Sequence, residues 1–352
     1  MSRKVALLLS GGIDSTVAGY LLKQKGFSVH AFFLRIKPAG QNFDLWREAE
    51  GKARLSAADL NIAFSVIDLR NEFKDGVVDF FIKEIKAGRT PNPCSVCNPK
   101  IKFGAFWEKV KPLGFDFMAT GHYAGIEKIN NDFFLKKGAD SKKDQSYFLY
   151  RIERDLLPFI QFPLAALTKG KVKDIAIKKI NKRFANMGES QGVCFLGGMK
   201  YADFVKKNIP TNEGAVVDEK GETVGSHPGV WFFTEGQKTG IRNIKYHNQP
   251  AYVTKKDYRN NILFVASNPK EDSSMKKEIE IRDWLFHGLE TTPKNQVWAK
   301  IRYGAKEISG SLEIKSKKKA IFRAEKPVGP IASGQSIVFY NKNIVLGGGI
   351  IE

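Results

Sequence analysis

The stretch VALLLSGGIDS, residues Val5–Ser15, decides the fold of the N-terminal part of this chain. Its first five residues are apolar, as in a buried strand, and the Ser-Gly-Gly that follows ends the strand before a helix begins. Glycine permits positive φ angles and close backbone approach, so the amides of the loop and of the first helical turn can converge. The helix dipole favours negative charge at that point. The stretch therefore predicts an anion-binding turn between a buried strand and a helix.

The carboxylate of Asp14 needs an explanation in such a turn, because it would repel bound phosphates. A divalent cation such as Mg²⁺, or a hydrogen-bonding role, would supply one. The alternative is a plain strand-to-helix turn that Asp14 or Ser15 caps. The stretch matches neither a Walker A motif nor a dinucleotide fingerprint. It does resemble the SGGxDS loop of the ATP pyrophosphatases, which implies substrate adenylylation with release of pyrophosphate.

The charge of the chain points to a polyanionic partner. Lys and Arg number 57 against 37 Asp and Glu, which gives a formal net charge of +20 and a pI of about 9.7. Such an excess is typical of proteins that bind nucleic acid, although a generally basic proteome would produce it too. The length of 352 residues is enough for two or three domains.

The cysteine content indicates a reducing compartment. Only Cys94, Cys97 and Cys194 occur, which is too few for a disulfide scaffold and odd in number. The first strand follows the N-terminus directly, which leaves no room for a signal peptide, and no apolar run approaches transmembrane length. We expect a cytoplasmic protein without a membrane partner.

Strands and helices alternate through the N-terminal half of the chain. The predicted strands are Val5–Leu9, Val29–Leu34, Phe64–Leu69 and Phe117–Thr120, and the predicted helices are Ser15–Lys25, Leu45–Asn61, Val77–Lys86 and Gly104–Val110. This rhythm predicts an α/β fold with a doubly wound parallel sheet, whose ligands bind at the carboxyl ends of the strands.

Short β runs replace this alternation after about Tyr201. They are Gly214–Asp218, Gly229–Thr234, Ala251–Thr254, Val297–Tyr303, Ser309–Ile314, Ala320–Phe322, Ser336–Tyr340 and Ile344–Leu346. We expect a catalytic domain over residues 1–205, a small β-rich central domain over 206–272 and a C-terminal β-barrel over 273–352.

A Lys-rich stretch, Lys169–Arg183, carries Val172, Ile175, Ala176 and Ile180 at helical spacing. The pattern predicts an amphipathic helix with one solvated face. The same lysines could also contact a phosphate backbone, and both interpretations can hold for one helix.

The segment Thr90–Asn98 contains a Cys-x-x-Cys between rigid prolines. A zinc site lacks its other half, because Cys194 is the one remaining cysteine and no histidine clusters near it, so no metal site is predicted. A dithiol redox motif stays possible. Cys194 itself could be a small buried hydrophobe, or one of two thiols of which one carries a persulfide and the other resolves the bond.

Seven motifs occur in the order seen in tRNA-specific 2-thiouridylases, and the resemblance covers essentially the whole chain. They are SGGIDS (10–15), TPNPCSVCNPKIKF (90–103), ATGHYA (119–124), KKDQSYFLY (142–150), ESQGVCFLG (189–197), GQKTGI (236–241) and SGQSIVFY with LGGGIIE (333–352). The resemblance implies an ATP-dependent sulfurtransferase that thiolates C2 of the wobble uridine in tRNA. It also implies a partner protein that donates persulfide sulfur.

The resemblance also implies roles for individual residues. ATP, expected with Mg²⁺, would contact Leu8, Leu9, Ser10, Gly11, Gly12, Ile13, Asp14, Ser15, Leu34 and Gly121. Cys97 would be the nucleophile and Cys194 the persulfide carrier, with a Cys97–Cys194 disulfide after transfer. The positions associated with tRNA are Asn92, Pro93, Cys94, His122, Lys143, Asp144, Gln145, Arg302, Tyr303 and Gln335.

Three positions depart from the family pattern. Some members carry Asp where Cys94 stands, so an acid-base role of that Asp does not transfer. The family often has Met at the position of Leu34, and it commonly has a polar residue at the position of Ile36. Neither change removes a group that the chemistry requires. Two rival functions remain at this point: an ATP pyrophosphatase that adenylates a small substrate, and a non-catalytic RNA-binding protein with a vestigial loop.

Overall fold

The structure is a computed structural model that describes residues 2–36, 43–188, 196, 199–238, 251–267, 275–288 and 296–352. Two compact units divide the chain. The first unit comprises Met1–Val78, Pro93–Gly197 and Tyr340–Gly347, and the second comprises Asp79–Asn92, Gly198–Phe339 and Gly348–Glu352. This division follows contacts rather than chain order, so the boundaries expected near residues 205 and 272 stay a prediction.

A parallel sheet forms the centre of the first unit. The strands up to residue 161 are β1 (Lys4–Leu8), β2 (Ser28–Arg35), β3 (Ala63–Asp68), β4 (Phe117–Ala119), β5 (Ala124–Ile129), β6 (Asp132–Lys137) and β7 (Ile160–Gln161). The sheet has the order β3-β2-β1-β4-β7, and all its pairs are parallel. The predicted doubly wound sheet is thereby confirmed. The antiparallel hairpin β5–β6 was not predicted.

Eight α-helices occur in the described residues. They are α1 (Ile13–Gln24), α2 (Phe43–Asp59), α3 (Arg70–Phe73), α4 (Asp79–Lys86), α5 (Cys94–Cys97), α6 (Phe106–Val110), α7 (Lys169–Ile175) and α8 (Tyr201–Asn208). Wider π turns extend three of them, at Lys74–Val78, Asn98–Ala105 and Ala176–Ile180. Short 3₁₀ turns lie at Lys111–Leu113, Ser146–Phe148, Arg154–Phe159, Lys182–Asn186 and Val230–Phe232. Among the described residues, none of the helices is long and apolar enough to cross a membrane.

The Lys-rich stretch after residue 168 folds as predicted into an amphipathic helix. Val172 and Ala176 are fully buried, and Ile175 and Ile180 pack partly buried against the same core as β1 and α1. The final cation of the stretch, Arg183, pairs with Asp59 at 2.6 Å. The phosphate-binding role of the exposed lysines stays a prediction.

The second unit is built from two β structures. Its strands are β8 (Gly214–Val217), β9 (Thr223–His227), β10 (Tyr252–Asp257), β11 (Ile262–Ala266), β12 (Lys276–Phe286), β13 (Val297–Lys300), β14 (Ile308–Ile314), β15 (Lys319–Val328), β16 (Ser336–Asn341) and β17 (Ile344–Ile351), the last of which begins in the first unit. A four-stranded sheet has the order β10-β11-β8-β9. The remaining strands follow the order β12-β15-β14-β13-β16-β17 and close through β12–β17 pairing, which confirms the predicted C-terminal barrel.

The expected β run at Gly229–Thr234 is wrong, because a 3₁₀ turn, Val230–Phe232, lies there instead. Side chains take the amides that a strand would pair: His227 Nδ1 accepts from Gly229 N at 3.0 Å, and Asn261 Oδ1 accepts from Val230 N at 3.1 Å. The φ angle of +139° at Gly229 also turns the chain out of the sheet.

Candidate functional site

The loop between β1 and α1 has the shape that the sequence predicts. Gly11 adopts a φ of +80°, and a Cβ atom there would lie 2.6 Å from the backbone nitrogen of Ala53 on α2. Glycine is therefore required both for the angle and for the close approach of α2. Gly12 is the N-cap of α1, and among the described residues no side chain caps that helix. The first amides of α1 thus remain available for an anion.

Hydroxyl groups within the loop hold its turn. Thr16 Oγ1 donates to the Gly12 carbonyl at 2.8 Å, and Ser15 Oγ donates to the same oxygen at 3.2 Å. Ser10 N donates to Ser15 Oγ at 3.2 Å. These bonds fix the turn of the loop around the Gly12 carbonyl and Ser15 Oγ.

Gly121 lies directly against the first turn of α1. A Cβ atom at Gly121 would be 2.6 Å from Ser15 N and 2.7 Å from the Asp14 carbonyl carbon. The end of β4 and the start of α1 therefore meet at a point that tolerates no side chain. This position agrees with the expectation that Gly121 borders the nucleotide, which stays a prediction.

The apolar members of the predicted ATP set occupy two kinds of position. Leu9 and Ile13 are buried in the core and Leu8 is half-buried, and the amide of Leu9 donates to the Phe32 carbonyl of β2 at 2.9 Å. Leu34 is half-buried in β2, two residues beyond Phe32, the parallel partner of Leu8. It therefore lies at the carboxyl edge of the sheet, where a ligand of such a fold binds.

Asp14 is held by two donors that the sequence did not reveal. Its Oδ1 atom accepts a hydrogen bond of 2.8 Å from the hydroxyl of Tyr123 and one of 2.6 Å from the ammonium of Lys169. The side chain of Lys169 is 14% exposed and that of Asp14 is 36% exposed. The loop therefore brings a carboxylate and an ammonium together beside the N-terminus of α1.

The predicted tRNA motif Lys143-Asp144-Gln145 lies in a loop that contacts Tyr123. Gln145 N donates to the Tyr123 carbonyl at 2.8 Å, and Tyr123 N donates to Gln145 Oε1 at 2.9 Å. Asp144 is buried and accepts hydrogen bonds from Gly138 N at 3.0 Å and from the Ser146 hydroxyl at 2.9 Å. The side chains of Asp144 and Gln145 thus shape the loop, while Lys143 is half-buried.

His122 packs among aromatic side chains. Its ring packs against those of Phe103 and Phe162, with centroids 6.0 and 6.3 Å away, and Nδ1 is 2.8 Å from the Thr120 hydroxyl. Burial, and to a lesser extent the charge of Lys102, lower the pKa of His122 well below its ordinary value of 6.5. Any contact of His122 with tRNA would therefore be a hydrogen bond and not an ion pair.

Cys97 ends the single turn of α5 and is 4% exposed. Its amide donates to the Pro93 carbonyl at 2.9 Å, so the proline-rich loop and the thiol are parts of one rigid turn. Asn98 follows and donates through Nδ2 to the Phe148 carbonyl at 3.0 Å. Pro93 is buried and Cys94 is half-buried. Cys194 lies outside the described residues.

The other predicted tRNA residues belong to the second unit. Gln335 Nε2 donates to the carbonyl of Thr90 at 2.7 Å, two residues before the half-buried Asn92. Thr90 N donates in turn to the Ser333 carbonyl at 2.7 Å. Tyr303 is 44% exposed, and Arg302 donates to the Pro330 carbonyl at 3.4 Å. The amide of Gln335 is thus already used to hold the segment that leads to Asn92.

Within the described ranges, no group of three or more His, Cys, Asp or Glu side chains could hold a metal ion. Asp14, in the first turn of α1, is the one carboxylate among residues 9–16. The expected Mg²⁺ ion stays a prediction, for which Asp14 would be the nearest candidate ligand at this loop.

Comparisons with known proteins place the whole chain in one family. Three family models match in order: a tRNA methyl transferase HUP domain over residues 3–198, a tRNA methyl transferase PRC-barrel domain over 202–267, and an aminomethyltransferase beta-barrel domain over 276–351. A tRNA-specific 2-thiouridylase, MnmA 1 of Clostridium botulinum (strain Okra / Type B1), is 37% identical over 99% of this chain and 98% of its own length. The chain belongs to the tRNA-specific 2-thiouridylase family.

Two further 2-thiouridylases support the same assignment. MnmA of Clostridioides difficile (strain 630) is 36% identical over 100% of this chain and 99% of its own length. MnmA of Listeria monocytogenes serotype 4a (strain HCC23) is 34% identical over 99% of this chain and 94% of its own length. The family resemblance drawn from the motifs is thereby confirmed.

Two polar residues of this chain were missed by sequence reasoning. Tyr123 stands within the quoted ATGHYA motif, and Lys169 opens the Lys-rich helix, but neither was linked to the loop. Nothing in the local spacing relates them to Asp14, since they lie 109 and 155 positions further along the chain. A search for polar residues at the ends of β4 and at the start of α7 would have found both.

Proposed function

We propose that the protein is a tRNA-specific 2-thiouridylase that activates C2 of the wobble uridine with ATP and replaces its oxygen by sulfur. The observation that carries the proposal is the shaped β1–α1 loop, with Lys169 and Asp14 beside it, in a chain that matches 2-thiouridylases over its full length. A ligase for a small substrate would leave the Cys97 loop and the charge of +20 without a use. A non-catalytic binding protein would have no use for the β1–α1 loop.

The first chemical step is adenylylation of the uridine. The C2 oxygen of the uridine attacks the α-phosphate of ATP, and pyrophosphate leaves. A carbonyl oxygen is a poor leaving group, whereas the same oxygen leaves readily as part of AMP. The uncapped amides of α1 and the ammonium of Lys169 are the groups that would stabilise charge on the departing pyrophosphate. Mg²⁺ would add charge neutralisation of the phosphates.

The second step transfers sulfur. In the proposed reaction, the terminal sulfur of a persulfide on Cys194 attacks the activated C2, and AMP leaves with the original oxygen. The Cys97 thiolate then attacks the Cys194 sulfur, so the sulfur–sulfur bond to the base breaks and 2-thiouridine is released. A Cys97–Cys194 disulfide remains, and a cellular thiol must reduce it before the next turnover. Hydrosulfide released by Cys97 is the alternative attacking species.

The partners follow from this chemistry. The proposed steps consume persulfide sulfur, which a persulfide-bearing protein, or alternatively a small persulfide, would supply. The tRNA supplies the uridine from its anticodon loop, where bases are poorly stacked and turn outward at small cost. Because Cys97 is nearly buried, the base has to reach into the loop that carries it. The reducing conditions that this cycle needs are those of the cytoplasm.

A pyrophosphate-release assay tests the proposed activation. The full-length protein is incubated with ATP and one of two transcripts of the same tRNA, with uridine or with cytidine at the wobble position. We expect release with the uridine transcript, and background release with the cytidine transcript. Equal release with both transcripts, or with no tRNA at all, would contradict activation of the wobble uridine.

A further inference from the structure

One oxygen atom of Asp14 receives hydrogen bonds from two distant parts of the first unit. The Tyr123 hydroxyl comes from the segment between β4 and β5, and the Lys169 ammonium comes from the start of α7. Asp14 is the second residue of α1, directly after the glycines of the ATP loop. The positions of these two donors therefore bear on the shape of the loop.

Both donors are attached to a single loop, residues 138–146, which we call the coupling loop. Gln145 makes two hydrogen bonds to the backbone of Tyr123. Its amide donates to the Tyr123 carbonyl at 2.8 Å, and its side-chain Oε1 accepts from Tyr123 N at 2.9 Å. Asp140 Oδ2 accepts the backbone amide of Lys169 at 2.9 Å. Two separate chains of contact thus run from the coupling loop to one carboxylate oxygen.

The coupling loop is braced by its own hydrogen bonds. Asp140 accepts from Lys142 N through Oδ1 at 3.1 Å and from Lys143 N through its carbonyl at 3.0 Å. Asp144 ties Gly138 N to the amide and hydroxyl of Ser146. A loop with this many internal bonds moves as one piece, so a ligand that fixes one side of it also fixes the other.

The outer side of the loop suits a polyanion. Lys142 is exposed and Lys143 is half-buried, while the carboxylate of Asp144 is buried. Within the proposed function, Lys143, Asp144 and Gln145 are expected to meet tRNA. The loop therefore exposes the cation of Lys142 and contacts the two donors of Asp14 through Gln145 and Asp140.

We propose that the coupling loop transmits occupancy of the tRNA site to the ATP loop, with Tyr123 and Lys169 as the positioning residues that connect it to Asp14. The inference rests on the proposed function, because it takes tRNA as the ligand of the loop. Bound tRNA fixes the coupling loop, the loop fixes both donors, and the donors hold Asp14 and the first turn of α1 in the geometry that receives the triphosphate. Each ligand then strengthens the binding of the other by the same factor.

The test is a binding measurement that needs no turnover. The dissociation constant of unmodified tRNA is measured with and without α,β-methylene-ATP, which cannot be cleaved between the α- and β-phosphates. We expect the native protein to bind tRNA about fivefold or more tightly with the nucleotide analogue, the lower end of ordinary allosteric coupling. Tyr123→Phe should bring this factor towards one and leave tRNA affinity without nucleotide unchanged.

Two further variants isolate the connection. Asp140→Ala cuts the contact with the Lys169 backbone and should reduce the same factor through the other chain of contact. Tyr20→Phe removes a hydroxyl from α1 itself, away from Asp14, and should keep the native factor. Thermal unfolding of each variant shows whether it is folded, and a misfolded variant is recognised by lost tRNA binding without nucleotide.

Native coupling retained in both Tyr123→Phe and Asp140→Ala would overturn the inference, as would a native protein that shows no coupling. The proposed function fails separately, since it is judged by formation of 2-thiouridine. A protein that thiolates tRNA without coupling overturns only the present inference. A protein that couples the two ligands but makes no 2-thiouridine overturns only the proposed function.

Discussion

Lys169 lies 155 positions beyond Asp14 in the chain, yet its ammonium donates a 2.6 Å hydrogen bond to Asp14 Oδ1. The pair explains how a carboxylate can stand next to an anion-binding helix terminus. Lys169 balances the charge of Asp14 and places an additional cation beside the N-terminus of α1, where we propose that the phosphates bind. The pair is largely sheltered on the lysine side, whose side chain is 14% exposed, so solvent screens it less than an ordinary surface pair.

Replacing Lys169 should damage ATP activation. In Lys169→Met, Asp14 keeps its charge but loses its cationic partner, and the pyrophosphate loses a stabilising donor. We expect kcat for pyrophosphate release to fall by about 10²- to 10³-fold, the usual loss for one such donor. Lys169→Arg should retain part of the activity. Lys171→Met, an exposed lysine two positions further along α7, serves as the control and should behave like the native protein.

Variants of the three cysteines should differ in whether they lose sulfur transfer, while all of them keep ATP activation. Cys194→Ser and Cys97→Ser should both abolish 2-thiouridine formation, because each removes a thiol from the sulfur-transfer sequence. Both variants should still release pyrophosphate with tRNA, since the ATP loop is intact. Cys94→Ser is expected to thiolate tRNA. Full activity of Cys194→Ser with a persulfide donor would contradict the assigned roles.

Glu84 should be a major stabilising residue of the second unit. Its carboxylate is 3% exposed and pairs with Arg89 at 2.7 Å and with Arg282 at 2.5 Å. Removing one partner of a buried ion pair costs about 3–5 kcal/mol, so Glu84→Gln should lower the free energy of unfolding by an amount of that order. Chemical denaturation measures the loss. Glu313→Gln breaks a pair with Arg323 whose side chains are 42% and 44% exposed, and should cost less than about 1 kcal/mol.

The same carboxylate gives a signature in pH. Burial alone raises the pKa of Glu84, but hydrogen bonds and charge from Arg89 and Arg282 together lower it below its ordinary value of 4.5. A depressed folded-state pKa stabilises the fold above the unfolded value, and this stabilisation is lost as pH falls through the folded value. Unfolding free energy of the native protein should therefore drop on acidification below 4.5, and this component should be missing in Glu84→Gln.

His122 should stay neutral at physiological pH. Burial, with a smaller contribution from Lys102, lowers its pKa well below the ordinary 6.5. As pH falls below 6.5, His122 becomes protonated in the unfolded chain before it does in the folded chain. This difference in proton binding lowers the free energy of unfolding. The measurement is the ring Cε1–H resonance of His122, assigned with His122→Gln, over pH ~6 to ~8. A titration midpoint near 6.5 would contradict the sheltered environment.

The sequence predicted the parts of the fold that depend on local pattern. Apolar runs separated by helical spacing were enough for the parallel sheet, and the β-run density after Tyr201 was enough for a barrel. The hairpin β5–β6 was not predicted, because its apolar residues, such as Phe133 and Phe134, do not alternate clearly with the polar residues around them. The 3₁₀ turn at Val230 depends on acceptors from His227 and Asn261, which sequence spacing cannot relate.

In the candidate site, too, the contiguous motif could be predicted from the sequence, whereas the contacts between distant residues could not. The β1–α1 loop is a contiguous motif, so Gly11 and Gly12 could be placed from sequence. Tyr123 and Lys169 reach Asp14 only through tertiary folding. The structure also shows that Gln335 holds the carbonyl of Thr90, a contact that no local pattern indicates. Its expected role in tRNA contact stays a prediction.

The most direct test of the account is the nucleoside composition of tRNA after reaction. Unmodified tRNA is incubated with the full-length protein, ATP and a persulfide donor, digested to nucleosides and analysed by mass spectrometry. We expect 2-thiouridine at the wobble position, dependent on ATP and absent with Cys194→Ser. A folded native protein that yields no 2-thiouridine, or yields it equally without ATP, would contradict the central claim.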